Sequence, residues 1–141
     1  MKECEAMSNN KKYKKAFVAG GFDHFHVGHQ FLLYQASSLA SKLVIVIGRD
    51  ATIEKLKKRK PIHAEEERMQ RIKQENIPNA VVRLGRSDGD FLKTLGEEGP
   101  DLLLLGYDQY FNEKLCKENF PDIKIKRADP YFPEIFKGSK F

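Results

Sequence analysis

Residues 16–29 read Ala-Phe-Val-Ala-Gly-Gly-Phe-Asp-His-Phe-His-Val-Gly-His, and an amphipathic stretch, 27–41, continues from them without a linker. A short apolar run that ends in two glycines and passes at once into a helix is a strand–turn–helix unit. It constrains the fold, because a strand that hands over to a helix in this way belongs in a parallel sheet with crossovers. It also constrains the chemistry. Gly20 and Gly21 let the backbone turn tightly and come close to a ligand. The N–H groups and positive dipole end of the helix favour an anion, phosphate above all. His26 and His29 stand three apart, so both imidazoles share one face of the first turn. Gly28 between them removes a side chain where a nucleotide would pack.

The remaining chain repeats the alternation. Strands are expected at 15–19, 43–47, 80–84, 102–105 and 123–126, and helices at 27–41, 64–75, 90–97 and 112–119. Residues 43–47 (Leu-Val-Ile-Val-Ile) and 102–105 (four leucines) are continuous apolar runs, as in strands covered on both faces. The order implies an α/β protein with a doubly wound, mostly parallel five-stranded sheet, Rossmann-like. A chain of 141 residues holds one such domain, expected over 13–141 after a flexible leader at 1–12. No apolar run nears the ~20 residues of a membrane span, and the lysine-rich start lacks the apolar core of a signal peptide. The expected setting is cytoplasmic, with Cys4 and Cys116 as free thiols.

Ligands of such sheets sit beyond the carboxyl ends of the strands. Four segments meet there: 20–29, 48–60, 106–110 and Arg127 onward. The net charge of +5 is concentrated at 11–15 and 55–60. The first cluster reads as a solvated face. The second, ending in Lys60, lies where it would neutralise phosphates. No interleaved aromatic pattern accompanies it, so neither nucleic acid nor membrane is an expected partner. Arg68 has two readings from spacing: a phosphate brace, or an ion pair on its own helix, which opens with Glu65, Glu66 and Glu67. Gly106-Tyr107-Asp108-Gln109 follows the fourth strand, either as a contact to base, ribose or acceptor or as an ordinary strand-ending turn. Zinc would need His26 and His29 joined by His24, His63 or Asp23, and no second histidine pair occurs, so no metal ligands are assigned.

The residues Gly21-Phe22-Asp23 and His26-Val27-Gly28-His29 resemble the signature of the cytidylyltransferase-like nucleotidyltransferases. Gly48-Arg49-Asp50, Lys60, Arg68, Gly106 to Gln109 and Arg127 follow in that family's order, so the resemblance spans about 15–141. Within it, 48–55, Arg59-Lys60-Pro61 and 105–109 are most similar to the archaeal-type FAD synthases, which transfer AMP from ATP to FMN. Glycerol-3-phosphate cytidylyltransferases and sugar-phosphate adenylyltransferases share the histidine motif. A basic RNA-binding module without catalysis is the reading from another class.

The resemblance implies a nucleotidyltransferase fold and a set of roles. His26, His29, Lys60, Arg68 and Arg127 would be catalytic. Gly21, Phe22, Asp23, Gly28, Gly106, Asp108 and Ser139 would hold the nucleotide, and Asp50, Tyr107 and Gln109 the acceptor. It further implies Mg²⁺ with the triphosphate, ATP and FMN as substrates, and a homodimer. One departure stands out: where the family has two adjacent hydroxyl residues, this chain has Gly138 and Ser139.

Overall fold

The computed structural model describes residues 11–106, 109 and 111–129. Ten elements follow in order: β1 (Tyr13–Gly20), α1 (Val27–Leu39), β2 (Ala40–Ile47), α2 (Asp50–Lys57), α3 (Glu65–Lys73), β3 (Ala80–Leu84), α4 (Phe91–Glu98), β4 (Leu102–Leu105), α5 (Glu113–Asn119) and β5 (Lys124–Arg127). The strands form one sheet in the order β3-β2-β1-β4-β5, and every pairing is parallel. The expected α/β sheet is therefore present, and wholly parallel rather than mostly so.

The apolar runs explain why both faces are covered. Side chains alternate along a strand, so each run supplies two cores. Ala16, Val18, Leu43, Ile45, Leu102 and Leu104 face one way and pack with Leu33 of α1 and Ile72 of α3. Phe17, Val44, Val46, Leu103 and Leu105 face the other way and pack with Leu95 of α4 and Cys116 of α5. The strand order reverses direction between β1 and β4. A crevice opens at such a point, at the carboxyl ends of the strands.

The expected boundaries shift at several places, three of which matter here. The first helix stops at Leu39 because Ala40 takes an extended conformation and pairs with Tyr13, starting β2 early. The last strand runs one residue later than expected, registered on β4 by Leu105 opposite Arg127. Where the basic run 55–60 implies a solvated loop, residues Asp50–Lys57 form the helix α2. Its sequence, Asp-Ala-Thr-Ile-Glu-Lys-Leu-Lys, carries no buried residue and so shows no apolar stripe. Of the expected leader, residues 1–10 lie outside the described residues. Among the described residues no helix is long and apolar enough to cross a membrane.

Asp101 ties the amino ends of the central strands together. Its carboxylate accepts from the N–H groups of Lys14 (3.0 Å) and Lys15 (2.8 Å). Its own N–H donates to Lys15 O and its carbonyl accepts from Lys124 N, each at 3.0 Å. Asp101→Ala should lower stability by about 1–2 kcal/mol in urea unfolding. Activity should be unchanged, because this edge is opposite the crevice.

Candidate active site

The glycine turn after β1 is built differently from expectation. The residue in the left-handed region is Phe22 (φ 53°), not either glycine. A bulky residue holds that conformation at a cost of order 1–3 kcal/mol and does so only where packing fixes it. Here the ring is buried, edge-on to His29 at 5.3 Å between centroids. Gly21 serves close approach instead. A Cβ there would stand 3.2 Å from Ile53 Cδ1, so the missing side chain lets α2 lie against the turn.

His26 is the N-cap of α1. Its Nδ1 accepts from Gly28 N (3.1 Å), while Nδ1 of His29 accepts from His26 N (3.2 Å). The two rings stack at 3.9 Å between centroids. With Nδ1 accepting in both, the neutral imidazole carries its proton on Nε2. Each histidine thus has an N–H on the far side of its ring from the helix. Gly28 was expected to leave room for a nucleotide. In the structure the space belongs to His26, because a Cβ on Gly28 would lie 2.9 Å from His26 Cε1. The glycine permits the histidine cap.

Arg68 is 1% exposed, and its guanidinium points into protein. Nη1 donates to Gly21 O (2.9 Å) and Gly48 O (2.8 Å), Nε to His63 O (2.9 Å), and Nη2 to Asp50 Oδ1 (2.6 Å). Of the two readings that spacing left for Arg68, the structure shows an ion pair, made with Asp50 of α2 rather than with a glutamate of its own helix, within a tie among three loops of the crevice. Asp50, expected at the acceptor, has that carboxylate oxygen engaged, and its N–H donates to Glu65 Oε1 (2.7 Å). Asp23 likewise turns its carboxylate to the protein, accepting from Ile62 N (2.7 Å) and His63 N (2.9 Å). Desolvation pushes its pKa up, but those two N–H groups, with His24 and Arg68 nearby, outweigh it and hold the carboxyl below the usual value of 3.8. Lys60 is exposed between α2 and α3 with no hydrogen-bond or ion-pair partner among the described residues.

The turn after β4 is also self-bonded. Gln109 Oε1 accepts from Gly106 N (3.0 Å), so this side chain, expected at the acceptor, folds back on its own turn. Arg127 Nη1 donates to Gly106 O (3.0 Å) and to Gln109 O, and Nη2 pairs with Glu113 (3.3 Å). Arg127 thus fastens the β4–α5 turn, where a free phosphate clamp was expected. Tyr107, Asp108, Gly138 and Ser139 lie outside the described residues.

A cavity of about 790 Å³ fills the crevice, reaching from Gly20, Gly21, Phe22 and His29 across the ends of β2 and β3 to the start of α5. Its cations are Arg49, Lys57 and Arg86; Lys57 belongs to the basic cluster expected to meet phosphate and Arg49 to a motif in the family's order, whereas Arg86 was not singled out in the sequence. Arg49 Nε donates to Gly85 O (2.8 Å), and Arg86 pairs with Asp88 (2.8 Å) and Glu97. Arg49 and Arg86 stand directly after β2 and β3, and Lys57 ends α2. Among the described residues no group of three or more His, Cys, Asp or Glu side chains is placed to hold a metal ion. The glycine turn, the His29 imidazole and three cations around one cavity suit a phosphate-rich ligand.

The family model described as cytidylyltransferase-like matches residues 17–137. A protein named FAD synthase from Methanobrevibacter smithii is 42% identical over 126 residues, which cover 84% of this chain and 80% of the relative. Another of that name, from Aciduliprofundum boonei, is 35% identical over 130 residues, covering 89% and 85%. Among solved structures, a lipopolysaccharide core biosynthesis protein from Thermoplasma volcanium superposes with a TM-score of 0.75 at 32% identity, over 84% of this chain and 98% of that one.

Two substitutions check the buried polar ties. Arg68→Ala leaves three backbone carbonyls without their donor, so stability should fall by about 3 kcal/mol or more, with activity falling in parallel. Differential scanning calorimetry alongside turnover reads both. For Asp23 the sign follows from its lowered pKa. The stabilisation is complete above the unfolded value of 3.8 and is lost as pH falls through the lower folded value. Asp23→Asn should therefore remove part of the acid limb of a stability–pH profile, below about pH 3.8, measured by urea midpoint.

Proposed function

The chain belongs to the cytidylyltransferase-like family, and from that premise we propose that it is an FMN adenylyltransferase, transferring AMP from ATP to FMN to give FAD and pyrophosphate. The observation that carries the reading is His29, stacked on His26 at the start of α1 and lining a cavity that also holds Arg49, Lys57, Arg86 and an apolar wall. The relatives named FAD synthase support the choice of substrates.

A phosphate oxygen of FMN attacks the α-phosphorus of ATP in line. One P–O bond forms, the bond from the α-phosphorus to the bridging oxygen breaks, and pyrophosphate leaves. The acceptor phosphate is largely dianionic near neutral pH, its second pKa being about 6. No side chain has to remove a proton, and catalysis is positioning plus stabilisation of charge. His26 and His29 donate through Nε2 to the triphosphate as charge develops on it. The N–H groups of Phe22 and Asp23 cradle the α-phosphate. Arg49, Lys57 and Arg86 raise the potential around the incoming phosphate, and Lys60 extends that field at the rim. Gly106 and Gln109, held by Arg127, shape the nucleotide side, with Tyr107, Asp108 and Ser139 as the further contacts implied by the family. Arg68 and Asp50 position the glycine turn. Mg²⁺ enters with ATP as part of the substrate. Nucleic acid and membrane have no part in this reading, and a second copy of the chain is the expected partner.

Incubation with Mg²⁺ and ATP or CTP, against FMN or glycerol 3-phosphate, tests the assignment. FAD from ATP and FMN is the expected product. Transfer of CMP to glycerol 3-phosphate with no FAD would overturn the substrate while leaving the phosphate site. His26→Ala and His29→Ala should each lower kcat by about 10²–10³-fold with a smaller change in KM, read by steady-state kinetics. Sedimentation velocity reads the oligomeric state.

A further inference from the structure

Part of the cavity lining is apolar and comes from two helices, α2 and α5, and the residue leading into α5. Phe111 leads into α5, where Leu115 is 44% exposed; Ile53 and Leu56 come from α2, and Leu56 is 75% exposed. Single exposed leucines are ordinary. These are not single: all four side chains line the same cavity.

The wall is rigid as well as apolar. Phe111 meets Phe91 edge-on at 5.2 Å, and Phe91 meets the fully buried Phe17 edge-on at 5.6 Å. A chain of ring contacts thus runs from the core of the sheet to the cavity surface. Ile53 joins this wall to the phosphate end, since it lies against the Gly21 and Gly48 backbones, 3.2 and 3.5 Å from where their Cβ atoms would stand.

Three polar side chains of the lining turn to the protein. Thr94 Oγ1 donates to Asp90 O (3.1 Å), Asn112 Oδ1 accepts from Leu115 N (3.1 Å), and Gln109 Oε1 accepts from Gly106 N (3.0 Å). A purine is selected by hydrogen bonds to its edge. A broad flat ring system can be selected by apolar area, and that is the surface presented here. Resting on the function proposed above, we infer that the wall formed by Ile53, Leu56, Phe111 and Leu115 is the isoalloxazine subsite, with Leu56 and Leu115 as its specificity-determining residues. The ribityl chain then passes Ile53, and the FMN phosphate reaches the glycine turn and His29.

Quenching of flavin fluorescence on titration into the full chain tests this, with ATP binding followed separately by calorimetry. Leu56→Asp and Leu115→Asp place a charge on the wall at exposed positions, so folding is retained and circular dichroism should match the wild type. Each should raise the Kd for FMN by about tenfold or more, while the Kd for ATP stays within about twofold. Leu56→Met, which keeps the apolar area, should bind FMN as the wild type does. Unchanged FMN binding in both aspartate variants would overturn the inference while the wild type still makes FAD. So would weakened ATP binding with FMN unaffected, which would give the wall to the adenine. Wild-type protein that makes no FAD would overturn the functional reading, and this inference with it.

Discussion

The crevice depends on one buried guanidinium. Arg68 reaches the turn after β1, the turn after β2, the start of α2 and the connection before α3. Three of its four partners are the backbone carbonyls of Gly21, Gly48 and His63, groups that a loop-lined crevice would otherwise leave facing apolar surroundings. A planar fork with five donors meets several such groups at once, which an ammonium on a flexible stem does not. Asp50 balances the charge from α2. Burying a charged group is costly unless its hydrogen bonds are satisfied, and here the satisfaction is shared among the segments that must be held in register for phosphate to bind.

The same logic recurs around the cavity. Arg127 fastens the turn after β4 through Gly106 and Gln109, and Asp23 fastens the α2–α3 connection through two backbone N–H groups. Charged side chains that look in sequence like ligand contacts are largely used to shape loops. The groups that face the cavity instead are the His29 imidazole, Arg49 and Arg86 after β2 and β3, and Lys57 at the end of α2. The division follows from burial. A cation committed to two or three carbonyls is fixed in place, whereas one on an exposed helix such as Lys57 stays at the surface where a ligand's charge arrives.

Much of this was legible in the residues. The apolar runs at 43–47 and 102–105 marked strands covered on both faces, and the glycine–histidine segment marked the head of α1. Three things were not legible, each for a physical reason. The helix α2 buries nothing, so its sequence carries no stripe to read. The left-handed turn falls on Phe22 because packing against His29 holds it there, and local propensity would have chosen a glycine. The role of Arg68 depends on partners 18, 20 and 47 residues away in the chain, which spacing within its own helix does not reveal.

Gly28 shows how tightly the pieces are joined. An alanine there would bring Cβ within 2.9 Å of the His26 ring, and that ring both caps α1 and stacks on His29. His29 in turn lies edge-on to Phe22, whose left-handed conformation sets the path of the glycine turn. The turn is pressed by Ile53, the residue where the phosphate end of the cavity meets its apolar wall. One missing side chain in the first turn of a helix is therefore coupled, through contacts between neighbours, to the geometry at both ends of the cavity. The glycine is required by the histidine beside it, and the histidine by the anion that the helix end is built to receive.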